Sequence, residues 1–344
     1  MAINFSLTSA ERSEELIGFL RNSFGITNLP PNFSAEVQAW KYFAPHPWWT
    51  TARSYLLETE KGIAAHGCLA PVRFAAGNSF LESMVIMDWA AGDLIPGAGL
   101  LLCRRCIEAR KSSLLAIDGS RDTLRLLPKV AWFRPQTDMR WYARPLKPWR
   151  RFVRSPHGWR DFAKFCRNLQ WKLFPELPAT GSWTCRASRS DDPVFTPSGD
   201  FTPILRTRAW IDYLSACPVA KCNLWILEKD GVPSGHALIA NLVGSARVAD
   251  FALGGQSTLE ESTQAFSTLV RTLAAENDIL EVVAASSLTQ DLMAFEACGL
   301  RQRKRSPILL ADVSKTFAEE TTLEIKPMLS DAYYLHDPAN PFLL

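Results

Sequence analysis

The chain repeats itself, and that constrains its fold more than any other feature. Ala39-Trp40 leads into Ser54-Tyr-Leu-Leu-Glu-Thr-Glu-Lys-Gly62 and Ile63-Ala-Ala-His-Gly67, while Ala209-Trp210 leads into Asn223-Leu-Trp-Ile-Leu-Glu-Lys-Asp-Gly231 and Val232-Pro-Ser-Gly235. Trp40 and Trp210 are 170 residues apart, Gly62 and Gly231 169, and Gly67 and Gly235 168, in a chain of 344. Farther on, Trp132-Phe-Arg134 aligns with Gly299-Leu-Arg301. A separation that holds over so long a stretch implies two copies of one fold.

Hydrophobic spacing outlines each copy. In the first, helices are expected over Ser9–Ser23 and Ala35–Phe43, strands over Ser54–Thr59, Ile63–Phe74 and Phe80–Trp89, and a helix from Gly97. A strand at Ser113–Ile117, a helix from Ser120 to Val130 and a last strand pair within Phe133–Leu146 follow. The second repeats the order, with strands at Cys222–Glu228, His236–Leu242 and Ala246–Leu253, a helix over Leu259–Ala275, a strand at Leu280–Ala285, a helix ending at Cys298 and a strand near Ile308. This is a mixed α+β layer: a mainly antiparallel sheet flanked by helices. The expected division is 1–146, a connector over 147–195, and 196–344.

The segment Leu94-Ile-Pro-Gly97-Ala-Gly99-Leu-Leu-Leu-Cys103-Arg-Arg-Cys106-Ile-Glu108 places two glycines in front of a helix whose Leu100, Cys103, Cys106 and Ile107 share a face. The first turn of such a helix leaves backbone N–H groups unpartnered at the positive end of the peptide dipoles, a ready site for phosphate. Glycines let an anion approach the backbone, and no carboxylate intervenes before Glu108. A simple helix start explains the same residues, and Cys103 and Cys106 read as packing rather than as half of a metal site.

With this order of elements, the Gly97-Ala-Gly99 turn resembles the acyl-CoA pyrophosphate loop of the GNAT acyltransferase superfamily. Trp40-Lys-Tyr-Phe43, Gly62, Gly67 and Phe133-Arg-Pro135 ahead of Arg140-Trp-Tyr-Ala-Arg-Pro-Leu146 resemble tandem bacterial GNAT proteins in particular. The resemblance implies two GNAT-like domains and acyl-CoA, acetyl-CoA foremost, as co-substrate, with no metal. It places CoA against Met87 and Trp89 on one strand and Gly97, Ala98, Gly99 and Leu100 at the helix start. Leu94 stands where the family prefers Gln or Arg, and Pro128 and Trp132 stand where it often has the tyrosine and glycine of its general-acid motif.

Transfer of an acyl group to a small-molecule primary amine is the expected activity. Asp88 and Asp118 are candidate bases at strand ends, and Tyr142 is a candidate acid. Each also reads as a turn or packing residue. A catalytically degenerate binding or scaffold protein and an aminoacyl-tRNA-dependent transferase are the alternatives. In the second copy, Ser257 and Glu260 have capping-box spacing, so that helix start is expected to be satisfied by side chains and not to bind CoA.

Charge is unevenly distributed: about +3 over residues 1–146, about +8 over 147–190 and about −8 over the remainder. The basic stretch Lys147–Lys172 interleaves eight Lys or Arg with three Trp and three Phe. An interdomain helix with its aromatic face buried between the copies is the leading expectation; a membrane surface or RNA are the other partners such a segment fits. The N-terminus lacks a basic flank followed by a long apolar run, so a soluble, cytoplasmic protein is expected.

Overall fold

The computed structural model describes residues 2–26, 31–154, 158–313, 315–335 and 342–343. Ser155-Pro-His157 of the basic connector lies outside them. The first half comprises β1 (Asn4–Leu7), α1 (Ser13–Phe24), α2 (Ala35–Gln38) running into a π-helical turn (Ala39–Phe43), β2 (Ser54–Thr59), β3 (Gly62–Ala76), β4 (Ser79–Ala91), α3 (Ala98–Arg110), β5 (Ser113–Ile117), α4 (Arg121–Leu126) and β6 (Phe133–Pro145). The helices α5 (Pro148–Arg154) and α6 (Trp159–Leu173) come next. Then β7 (Trp183–Ala187), α7 (Arg208–Ser215), β8 (Lys221–Lys229), β9 (Val232–Leu242), β10 (Ser245–Leu253), α8 (Leu259–Ala275), β11 (Glu281–Ser286), α9 (Thr289–Ala297) and β12 (Arg301–Ala311) repeat the plan.

All twelve strands join one sheet in the order β1-β2-β3-β4-β5-β12-β6-β11-β10-β9-β8-β7. Reading inward from either end gives the same sequence of repeats, so the copies are related by a pseudo-twofold axis between β6 and β12. At that axis the last strands are exchanged: β12 pairs with β5, β6 pairs with β11, and the two pair with each other from Arg301↔Ala143 to Ala311↔Phe133. The expected strand pair within Phe133–Leu146 is therefore one long strand, since its partners on both sides come from the other copy and it has no need to fold back. The outer strands β1 and β7 have four and five residues, short enough to offer little edge for pairing with other chains.

One face of the sheet carries a core shared by both copies, with Val85, Leu115 and Met139 packed together with Leu238, Val283 and Leu310. The repeated tryptophans sit on this seam. Trp40 stacks on Tyr213 at 5.3 Å and donates its Nε1–H to the Tyr213 carbonyl at 3.1 Å, and Trp48 packs on Trp210 at 4.6 Å. On the other face each copy keeps its own core, under α3 in the first and under α8 and α9 in the second. Cys103 and Cys106 are buried free thiols in the former, and burial raises the pKa of both.

The connector does not bury its aromatic face. Phe152 and Phe165 pack together at 4.9 Å between α5 and α6, but Trp149, Phe162 and Trp159 remain exposed, the last to 80%. Arg150, Arg160, Lys164 and Lys172 are exposed, whereas Arg151 is half-buried beside Glu281 and Phe342.

Because each half borrows its innermost strand, residues 1–175 and 176–344, a division that keeps β7 with its partner β8, are expected to be insoluble or unfolded by far-UV circular dichroism when expressed separately. Co-expressed, they should elute as one folded assembly, and the intact chain should melt in one calorimetric transition. Two halves that each fold and melt cooperatively alone would contradict the exchange.

Candidate functional site

The site originates in a strand that diverges from its neighbour. β4 and β5 are parallel and paired only from Ser83↔Ser113 to Val85↔Leu115, although β4 continues to Ala91. The cause lies on the other edge of β4: Cys68 faces Met87 but His66 faces Ala90, so Asp88 and Trp89 are a bulge opposite Gly67. Asp88 adopts φ 47°, a left-handed conformation unusual for an L-residue. A bulge bends its strand and increases twist. The result is a cleft of about 1190 Å³ between Ile86–Ala91 and Ala116–Asp118, closed at its sides by α4 and by Ser330–Ala332 of the C-terminal tail.

Met87 and Trp89 line this cleft, as expected of a strand that would take a pantetheine arm. Gly97 is the cap residue of α3, with φ 76° and no side-chain cap, and a Cβ there would meet nothing within 4 Å. The first turn carries no acidic residue, and the Ala98 N–H donates to Ile95 at 3.1 Å. The openness expected at Gly99 is not present. The Trp89 indole donates to the Gly99 carbonyl at 3.1 Å, and its ring occupies the space a Cβ would need, 3.1 Å away. None of Gly97, Ala98, Gly99 and Leu100 lines the cleft; Gly99 meets it through Trp89, and the uncovered part of the turn is at Gly97.

Of the three residues expected to be catalytic, Asp88 and Asp118 line the one cleft and Tyr142 does not. Asp88 lies at the buried floor, where Tyr42 donates to its Oδ2 at 2.6 Å and Lys41 forms an ion pair with the same oxygen. Burial alone would lower the Lys41 pKa, but the pull of Asp88, Tyr42 and Asp331 raises it well above its ordinary value, so the ammonium stays charged. His66 fixes the bulge, donating from Nδ1 to the Asp88 carbonyl at 3.0 Å; burial lowers its pKa to about 4, leaving it neutral. Asp118 stands on the rim of the cleft, tied to Lys304 and accepting from Ser306 at 3.0 Å. Tyr142 points to the second half's core, where its hydroxyl donates to Glu296 at 2.6 Å, and it does not line the cleft.

One carboxylate in the cleft was not anticipated from the sequence. Asp331, in the tail, lines the cleft with its side chain 23% exposed and Oδ2 4.0 Å from Lys41 Nζ. Burial, reinforced by Asp88 and opposed by Lys41, pushes its pKa up to about 6. No motif surrounds it. Lys41 did leave a signal: a lone cation in Ala39-Trp-Lys-Tyr-Phe43, at a position where the helical face is buried.

The second half closes its equivalent site. The capping box of α8 is Thr258 with Glu261, one residue beyond the expected Ser257 and Glu260. Ser257 Oγ instead meets Ser262 and Gln290, and Glu261 also takes Lys229 at 2.7 Å. Tail residues 323–326 lie along the end of β11, with Ser287 N–H donating to Ile325 and Ile325 N–H returning to Ser287 Oγ at 2.8 Å. On the β10 side, Arg206 grips Asp250 at 2.7 and 2.8 Å and Glu324 at 2.8 and 2.9 Å, with every charged group buried. Among the described residues no group of three or more His, Cys, Asp or Glu could hold a metal ion, and no helix is long and apolar enough to cross a membrane.

The chain has a tandem GNAT-like fold. A GCN5-related N-acetyltransferase from Anabaena variabilis superposes with TM-score 0.56 at 12% identity, covering 90% of this chain and 72% of that one. Saccharomyces cerevisiae N-myristoyltransferase with bound myristoyl-CoA gives 0.56 at 13%, covering 90% and 82%. A probable N-acyltransferase from Enterococcus faecalis gives 0.54 at 10%, covering 93% and 75%. No family model and no curated protein matches the sequence. At these identities the likeness concerns the fold.

Lys41→Met strands Asp88 as a buried, uncompensated carboxylate and is expected to cost roughly 3–5 kcal/mol in urea unfolding. Lys41→Met with Asp88→Asn should recover most of that loss. Equal destabilisation in the single and double variants would contradict a direct pairing.

Proposed function

We propose that the protein is an acyl-CoA-dependent N-acyltransferase that carries its donor in the first-half cleft and transfers the acyl group to a primary amine. The observation that carries this reading is the bulge-driven separation of β4 from β5, which leaves a cleft of about 1190 Å³ beside an uncapped helix start. The diphosphate would take the open turn at Gly97, aided by Arg125 and Lys129 at the edge of the cleft. The arm would run along Met87–Trp89, and backbone N–H groups at the bulge would polarise the thioester carbonyl. Acetyl-CoA is the first donor to test; the volume also admits longer chains.

In this reading Asp331 accepts the proton of the attacking amine. The reaction joins the amine nitrogen to the acyl carbon and breaks the carbon–sulfur bond, and the thiolate takes a proton from solvent. Holding donor and acceptor together supplies much of the acceleration. Asp118, engaged by Lys304, would help orient the acceptor, and Asp88 would hold Lys41. Tyr142, away from the cleft, enters as packing. A non-catalytic binding or scaffold module is the second reading, favoured by the Trp89 ring, which covers Gly99 and narrows the turn a diphosphate would need.

A base that loses its proton near pH 6 is inactive below that value and active above it, so kcat should rise through about pH 6. Asp331→Asn should lower kcat about a hundredfold and abolish that limb, with acyl-CoA affinity retained. Absence of acyl-CoA binding, or binding without transfer to a panel of amines, would overturn the first reading and select the second.

Gly97→Glu should weaken acyl-CoA binding by calorimetry about tenfold beyond Gly97→Ala. The two variants share the backbone strain at φ 76°, so their difference isolates the charge. Equal affinities would place the diphosphate elsewhere.

A further inference from the structure

We propose that α5 and α6 form a peripheral docking element that seats an apolar face in the headgroup region of an anionic lipid bilayer. Along α6, Trp159, Phe162, Cys166, Leu169 and Leu173 recur at helical spacing and all are exposed, Leu173 to 52%. On α5, Trp149 and Val153 lie one turn apart and are exposed to 62% and 57%. The helices hold each other through Phe152, Phe165 and Trp149, so the apolar residues are presented by a folded hairpin.

The body of the protein lies on the opposite side of α6. Asn168 is buried there, and Trp171 takes Arg303 of β12 at 4.2 Å. The apolar stripe therefore faces away from the sheet. Isolated exposed apolar residues are ordinary on protein surfaces, but a run along two packed helices marks an interaction surface.

Charge selects the occupant. Between Lys147 and Lys172 there are eight cations against one anion, Asp161, and Arg150, Arg160, Lys164 and Lys172 are exposed. Arg301 and Arg305 add exposed cations at the start of β12, the strand on which α6 leans. Two such surfaces repel each other, which disfavours a second copy of the chain. An RNA backbone would satisfy the cations but leave Val153, Leu169 and Leu173 against water. An anionic bilayer satisfies both, with tryptophan rings at the interface and cations among headgroups. With fifteen and seven residues, the helices are too short to span and suit lying on the surface.

The test is co-sedimentation of the full-length protein with vesicles of phosphatidylcholine, with and without roughly a third phosphatidylserine. Binding is expected only with phosphatidylserine and should weaken with salt. Trp159→Ser with Phe162→Ser and Leu169→Ser should weaken it about tenfold or more at an unchanged melting temperature. Arg160→Glu with Lys164→Glu should remove the preference for phosphatidylserine. A polarity-sensitive dye on Cys166, with Cys166→Ser as the unlabelled control, should shift to the blue on docking. No binding to phosphatidylserine vesicles, or binding indifferent to the triple variant, overturns the proposal. So does a concentration-dependent dimer that the triple variant dissolves, or retention of RNA without retention of vesicles.

Discussion

The mutual pairing of β6 and β12 is the interaction on which the rest of the structure depends. Each strand completes the other copy's sheet, so neither copy has a finished core without its twin. This exchange turns two sequence repeats into one twelve-stranded surface. It also fixes the cleft. β12 is held to β5 from Leu114↔Ala311 to Ile117↔Ile308, and β5 is thereby kept from following β4 when the bulge turns that strand away. An opening between neighbouring parallel strands, with unpaired backbone on its borders, would otherwise tend to close by further pairing. The second copy thus contributes a wall of the first copy's cleft through its last strand.

Similar local pairs have opposite outcomes in the two copies. Both have a buried histidine on the third strand bonded to an aspartate near a bulge of the fourth, His66 to the Asp88 carbonyl and His236 to the Asp250 carboxylate, although His66 precedes the aligned glycine and His236 follows it. In the second copy Arg206 presents its planar fork to Asp250 and Glu324 together. Burial alone would raise the Asp250 pKa, but the guanidinium holds it far below the ordinary carboxylate range. Such a network is demanding to bury and strongly destabilised by loss of one member, which ties the tail segment at Glu324 firmly in place. The chain then continues a few residues and reaches the first cleft at Ser330–Ala332. One segment fills one opening and completes the other, which gives a physical reason for the copies to differ in shape at equivalent places.

Much of the fold was legible because it follows from local patterns. Ser54–Thr59, Ser113–Ile117 and Leu259–Ala275 fall where spacing puts them. The exchange was not legible, because swapped and unswapped strands bury the same faces and leave the same alternation in Phe133–Pro145. Of the site, Met87, Asp88 and Trp89 were legible from their place at the end of a central strand. That Trp89 would lie on Gly99 was not, since a ring ten residues away in sequence leaves no trace in the glycine motif. Asp331 was invisible for a related reason: its role comes from a tail with no repeat counterpart, and its neighbours Lys41 and Asp88 are distant in sequence. The helix cap shifted by one residue because Ser257 and Thr258 are equivalent in type and only the contact with Gln290 separates them.

The floor of the cleft shows how two carboxylates in one place acquire different properties. Lys41 is the single cation between them, in contact with Asp88 and 4.0 Å from Asp331. Interaction energy falls with distance and rises as water is excluded, so the contacting carboxylate takes the larger share of the attraction. Tyr42 adds a hydrogen bond to Asp88 alone. Asp331 is left with burial, the repulsion of Asp88 and a weaker pull from Lys41, which brings its proton affinity near neutrality. Lys41 thus links the two carboxylates at the floor of the cleft, in contact with Asp88 and 4.0 Å from Asp331. The left-handed φ of Asp88 belongs to the same arrangement, since the bulge that opens the cleft also turns this carboxylate toward Lys41.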